Sequence, residues 1–242
     1  MNNVHKDTIS IKSYDEMAKY YKNFVDTKPW NAYYERPAII SLFPNIIENK
    51  KILDLGCAGG WYSKYLLDNG ADVMSIDVNE NMVEVTKTRT NNKCKVIQAD
   101  INNGFNFIGN GYFDTVLASL VLHYIKDLNK AYMEINRILK INGYIIFSTH
   151  HPLMEFIHFK RENYLDIELL DDEWNMGDEK INVQFYRRPI NKLLQPLIDN
   201  GFFIENIMEA EPTEEFKEKL PEQYERLLKR PNFLFIKARK VK

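Results

Sequence analysis

The chain has only two cysteines, Cys57 and Cys94, in 242 residues. Cys57 lies in a glycine-rich turn and Cys94 at the start of an apolar run. No disulfide is expected between them, and the pattern fits a reducing compartment. No apolar run approaches the ~20 residues that a membrane-spanning helix needs. The opening residues, Met1 to Asp7, lack the apolar stretch of a secretory signal. These absences set the expectation of a cytoplasmic protein with no membrane partner. Basic charge is not in excess either, since the net charge is −2. A protein held mainly by nucleic acid phosphates presents a basic face, so no nucleic acid partner is expected. No repeat and no low-complexity linker divides the chain. Its 45% hydrophobic and 27% charged residues are the balance of a globular domain with a full core.

Two helices are expected near the start, over residues 14–26 and 31–48, with Pro29 between them and Pro37 inside the second. From Lys51 the rhythm changes to strand and helix in alternation. Short apolar strands are expected at 52–55, 72–77, 95–99, 113–119 and 144–149. Helices between them end at Asn69-Gly70 and Asn142-Gly143, and one is capped by Asp127. Such alternation predicts an α/β, doubly wound, mostly parallel sheet with helices on both faces. Ligands of such sheets sit beyond the carboxyl ends of the strands. Residues 150–188 break the rhythm and are expected to form a lid inserted after the fifth strand. A helix over 190–199, a strand at 202–207, a charged helix over 214–230 and a last strand at 233–238 complete the pattern.

The chemistry concentrates in the turn after the first strand, Asp54-Leu-Gly56-Cys57-Ala58-Gly-Gly60. Glycines let backbone approach a ligand, and the helix behind offers free N–H groups. The turn is not a dinucleotide fingerprint, because Ala58 and Trp61 stand where the second and third glycines belong. It is not a phosphate-binding P-loop, because no Lys-Ser/Thr pair follows. Asp77 ends the second strand about 20 residues after Gly56, the spacing at which a carboxylate grips a ribose diol. Asp100 ends the third strand beside Ile101, where a carboxylate can accept from an exocyclic adenine amine. Ser119 and Leu120 end the fourth strand.

The runs Ile52 to Gly60, Ser75 to Met82, Gln98 to Ile101 and Ile138 to Gly143 together resemble the class I S-adenosylmethionine-dependent methyltransferases of small-molecule type. The resemblance covers residues 14–150 well and the remainder more loosely. It implies a Rossmann-like sheet of seven strands with the last antiparallel. It implies one methyltransferase domain over 1–242: an N-terminal helical cover (1–48), a cofactor-binding core (49–149), a substrate lid (150–188) and a sheet-completing segment (189–242). The implied cofactor is S-adenosyl-L-methionine, with S-adenosyl-L-homocysteine as product. Asp54, Gly56, Cys57, Ala58 and Gly60 are placed around its methionine portion, with Ser119 and Leu120 on the same side. Asp77 is placed on the ribose with Val78 and Met82 nearby, and Asp100 and Ile101 on the adenine. The opening Tyr14-Asp15-Glu16-Met17-Ala18 resembles a helix that folds over the cofactor, which nominates Tyr14 and Tyr21.

The reaction implied is in-line displacement of a methyl group onto an O or N atom of a small molecule. His123, beyond the fourth strand, and His151, after the fifth, are the catalytic candidates, with His150 on the same rim. His151 precedes Pro152 and could equally fix the exit turn. No metal site is expected, since His150, His151 and His158 lack a carboxylate or cysteine at metal-ligand spacing. A peptide, protein or RNA methyltransferase stands as the alternative within the class. A dinucleotide-dependent oxidoreductase and a non-catalytic cofactor binder stand outside it.

Overall fold

The fold is that of a computed structural model, which describes residues 8–21, 26–176 and 179–242, without the side chains of residues 18–21, 176 and 179. A seven-stranded sheet has the order β3-β2-β1-β4-β5-β9-β8. Its strands are β1 (Lys51–Leu55), β2 (Asp72–Asp77), β3 (Lys95–Gln98), β4 (Phe113–Ser119), β5 (Leu139–His150), β8 (Phe202–Met208) and β9 (Phe233–Lys240). β1 to β5 pair in parallel, while β9 runs antiparallel to both β5 and β8. The order reverses between β1 and β4, the point at which doubly wound sheets bind ligands.

Alternation along the strands builds a core on each face. Leu53, Leu55, Val116, Ala118, Ile145 and Phe147 pack with α5 (Leu128–Ile138) and α7 (Ile190–Asp199). Ile52, Val73, Leu117, Ile146 and Phe235 pack with α2 (Arg36–Leu42), α3 (Trp61–Asp68), α8 (Glu214–Lys219) and α9 (Pro221–Lys229). The helix α4 (Glu80–Arg89) is capped by Asn79, whose Oδ1 accepts from the Met82 N–H at 3.1 Å.

Boundaries differ from the expected ones where hydrogen bonding overrides local pattern. The segment expected as one helix over 31–48 is a π-helical turn, Asn31–Glu35, followed by α2 with Pro37 in its first turn. Phe43 is already extended ahead of Pro44, which ends the helix early. β5 begins at Leu139, before Asn142-Gly143, because Gly111 and Tyr112 N–H groups take the last helical carbonyls of Arg137 and Ile138. Pro221 divides the expected 214–230 helix into α8 and α9.

The segment after β5 forms α6 (Pro152–His158) and a hairpin of β6 (Glu168–Met176) with β7 (Glu179–Arg187). Together with α1 (Ser10–Tyr21) it has a small core of its own: Met17, Tyr124, Leu170, Ile181, Val183 and Phe185. Two buried arginines tie it down. Arg187 donates to Glu168 and to the carbonyls of Asn163, Tyr164 and Asp166. Arg188 donates to the Leu122 and Ile125 carbonyls beyond β4. Carbonyl acceptors satisfy these guanidinium groups where water cannot.

Candidate active site

The turn after β1 is fixed by its own hydrogen bonds and leaves no room for side chains. Gly56 and Cys57 N–H donate to the Ile76 carbonyl at 2.8 and 3.1 Å. Gly56 has φ +73°, and a Cβ there would lie 2.5 Å from Val121 Cγ2. Ala58 occupies the left-handed region at φ +45° without a glycine's freedom. It is held there by its N–H on Asp77 Oδ2 at 2.8 Å and by the Thr86 hydroxyl on its carbonyl at 2.7 Å.

Asp77 accepts a second backbone hydrogen bond, from Asn79 N–H at 2.9 Å. Burial still pushes its carboxyl up to about 6. Asp54 is buried beneath the turn, accepts from the Ser63 hydroxyl at 2.6 Å, and is pushed up to about 7, again by burial.

The strand ends enclose a cavity of about 620 Å³, counting its open mouth. Gly56, Asp77, Val78, Asp100, Ile101 and Leu120 line it, with Tyr14 above. α1 and the residues just before it roof this space: Thr8 Oγ1 donates to Asp100 Oδ2 at 2.7 Å, and Asn79 Nδ2 donates to Asp15 Oδ1 of α1 at 2.7 Å. The other nominated residues sit behind the wall. Met82 is fully buried, Cys57 Sγ lies 3.4 Å from Thr86 Oγ1, Gly60 caps α3 at φ +74°, and Ser119 donates to Glu35 Oε1. The Tyr21 side chain lies outside the described residues.

Glu35 was not anticipated. The π-helical turn directs it inward, where it is 2% exposed. Three hydroxyls donate to it: Tyr62 at 2.8 Å, Ser119 at 2.7 Å and Ser148 at 2.6 Å. Burial raises its carboxyl above the ordinary range. Ser148 Oγ also accepts the Leu120 N–H at 3.0 Å, where Leu120 is held at φ +50°. Glu35 thus anchors the ends of β4 and β5 beside the cavity, and the strained Leu120 backbone marks the place.

A larger cavity of about 2150 Å³, also counted to its mouth, adjoins the first and shares Tyr14, Leu120 and Tyr124 with it. Rings lead away from that shared wall. His123 lies against Tyr124 at 4.3 Å between centroids and stacks on His150 at 4.1 Å, 15° from parallel. His150 in turn lies 6.1 Å from Phe233. Both ring nitrogens of His123 are buried without a hydrogen-bond partner among the described residues, and the residue lines this cavity. Burial, then the charges of His150 and Arg188, hold its pKa well below the ordinary value, so the ring is neutral. His150 Nδ1 is 2.7 Å from Glu155 Oε1.

His151, the second catalytic candidate, lines neither cavity. Its Nδ1 accepts the Met154 N–H as the cap of α6, and its Nε2 is 2.6 Å from Glu209 Oε1. The proline that follows places it at a helix start, so the geometry gives it a capping role.

Fold and cavity together define a Rossmann-like protein with an open cavity at the switch point of its sheet. The methyltransferase domain family model matches residues 53–147. An uncharacterized protein of Haemophilus influenzae is 28% identical over 233 residues, covering 87% of this chain and 89% of its own length. A Legionella pneumophila malonyl-[acyl-carrier protein] O-methyltransferase is 32% identical over 110 residues, covering 44% of this chain and 38% of its own length. The fold superposes on a Listeria monocytogenes protein assigned as an S-adenosylmethionine-dependent methyltransferase. That pair has a TM-score of 0.74 and 29% identity, over 85% of this chain and 96% of the other. Residues 53–147 thus match a methyltransferase domain, and the whole fold is similar to that of S-adenosylmethionine-dependent methyltransferases, whose cofactor is S-adenosylmethionine. The dinucleotide-dependent alternative is set aside.

Proposed function

We propose that this protein methylates an O or N atom of a small molecule that enters the larger cavity. The observation that carries this reading is the confluence of the two cavities at Tyr14, Leu120 and Tyr124. One side offers the carboxylates and apolar walls suited to a nucleoside. The other is roofed by α1, α6 and the β6–β7 hairpin. Such a roof suits a compact ligand that must be shielded from water.

The residues present fit the cofactor. Asp77 keeps its carboxylate at the end of β2, where ribose hydroxyls can donate to it. Val78 and Ile101 form the walls of the adenine slot, with Asp100 at its edge, and Gly56 leaves the space that a Cβ would fill against Val121. S-adenosylmethionine supplies an electrophilic methyl group when bound. The chain's part is alignment and proton handling. Neutral His123 accepts the acceptor's O–H or N–H proton at a ring nitrogen. His150, held by Glu155, backs the His123 ring and keeps it in place. Tyr14, with the lid above, excludes water. One domain performs all of this, with 1–48 as cover, 49–149 as cofactor core, 150–188 as lid and 189–242 completing the sheet.

The test is formation of S-adenosylhomocysteine with panels of small phenols, amines and carboxylic acids, set against bulk RNA and bulk protein. Turnover on small molecules, lost by about 10²- to 10⁴-fold in kcat in His123→Asn, is expected. Turnover on RNA or protein alone replaces this reading. Unchanged kcat in His123→Asn removes the proton role.

A further inference from the structure

The acids and bases lining the larger cavity are not matched alike. Its three carboxylates all have partners. Glu155 pairs with His150, Asp172 accepts the Trp174 indole N–H at 2.8 Å, and Glu173 pairs with Lys180 at 2.5 Å. The arginines at the other end do not. Arg226 is partly buried, yet its hydrogen bonds go only to neutral amides: Nε to Gln223 Oε1 at 2.8 Å and Nη1 to Asn232 Oδ1 at 3.1 Å. Its guanidinium lies over Trp30, 5.3 Å from the ring centroid. Arg230 also lines this cavity, with no side-chain hydrogen bond or ion pair among the described residues. Among the described residues no carboxylate stands within ion-pair distance of either arginine.

A half-buried guanidinium fixed by two amides and a ring is pre-organised, and no carboxylate among the described residues pairs with it. Planar N–H donors of this kind match a carboxylate or phosphate. The arrangement also has a direction. Tyr124, His123, His150 and Phe233 lead from the shared wall, and Asn232, which holds Arg226, immediately precedes Phe233 in the chain. The arginines line only the larger cavity, away from the shared wall. Trp30, Phe159, Trp174, Phe185 and Phe233 give the space between aromatic walls.

We propose that the acceptor carries an anionic oxygen group, a carboxylate or phosphate, which Arg226 and Arg230 anchor at the end of the cavity remote from the methyl-accepting atom. This rests on the larger cavity being the acceptor site. The anion is a handle that sets which atom of the substrate faces the cofactor, and the body of the substrate lies along the aromatic walls.

The experiment is a titration of the full chain, saturated with S-adenosylhomocysteine, with benzoate, phenyl phosphate and benzamide, followed by tryptophan fluorescence and calorimetry. Saturable binding of at least one acid, about tenfold or more tighter than benzamide, is expected. The ratio of benzoate to phenyl phosphate affinity then tells which anion the site takes. Arg226→Gln should reduce the acid to the level of benzamide, and Arg230→Gln should weaken it about threefold. Both variants should keep the wild-type Tm and S-adenosylhomocysteine affinity. Equal binding of acid and amide, no saturable acid binding, or a retained preference in folded Arg226→Gln overturns the proposal. Should Arg226→Gln fail to fold, Arg226→Lys decides: it keeps the charge, so preference for the acid must persist in weakened form. Acid binding without methyl transfer to any acid of the panel leaves the anion site standing and removes the acceptor reading.

Discussion

The two cavities meet at three residues but are assembled in opposite ways. The smaller draws on the ends of successive strands: Gly56 after β1, Asp77 and Val78 after β2, Asp100 and Ile101 after β3, Leu120 after β4. The sheet itself aligns these positions, so a short motif implies the neighbourhood. The larger takes Tyr14 from α1, Trp30 and Asn31 from the π-helical turn, His150 from β5, Glu155 from α6, Trp174 and Phe185 from the hairpin, and Arg226 from α9. No local rule brings these together. Side chain packing does, through a small core that the cover and lid share with Tyr124. The strand-end cavity is therefore set by the sheet, and the capped cavity by the packing of cover and lid against it.

The largest effect should separate the two halves. Asp77→Ala removes the carboxylate that both braces the Ala58 turn and faces the ribose side. It should weaken S-adenosylmethionine binding by about 100-fold or more, as loss of a charged hydrogen-bonding group in a buried site does. Calorimetry checks this, and unchanged affinity would break the assignment of the smaller cavity. Phe185→Ala attacks the other half. It empties part of the Met17–Ile181–Val183 cluster and should cost about 3–5 kcal/mol locally. Hydrogen exchange should then rise in β6, β7 and α1 while β1 to β4 keep their protection. Uniform exposure of the sheet would show that the halves are not separate units.

The same contrast governs pH. Asp77 has a pKa of about 6 in the folded chain, above its ordinary 3.8, because it is buried. A raised carboxyl favours the folded state while protonated, and that contribution is lost as pH rises from about 4 through 6. In the proposed cofactor site, ribose hydroxyls donate to the ionised form. Cofactor affinity should therefore hold above pH 7 and fall about tenfold per unit as pH drops below 6. Asp77→Asn should flatten that dependence, as read by calorimetry between pH 5 and 8.

The alternation of parallel strands with helices and the acids at the strand ends were legible because each depends on a few adjacent residues. Glu35 was not. Its hydroxyl partners Ser119 and Ser148 are 84 and 113 residues away, and its inward aim depends on a π-helical turn with no simple signature. The Arg187–Arg188 pair was likewise silent, since its acceptors are backbone carbonyls exposed by distant loops. The lid was visible only as an interruption. Its hairpin is held by alternate residues such as Ile181, Val183 and Phe185, which take meaning only against α1.

The smallest expected effect sharpens the comparison most, because it tests two histidines that look equivalent in sequence. His123 and His151 both follow a strand of the sheet, yet only His123 faces the larger cavity with unpartnered nitrogens. His151 holds the first turn of α6 through its Nδ1 and meets Glu209 through its Nε2. His151→Asn retains a side chain that caps a helix, and should change stability by less than about 1 kcal/mol with kcat within about twofold of the wild type. His151→Ala should lower Tm by the loss of a cap, about 1 kcal/mol, and again leave the chemical step alone. A kcat fall in His151→Asn as large as that in His123→Asn would mean that α6 moves and that His151 enters the cavity when substrate is bound. The lid would then be part of the catalytic machinery and not only its roof.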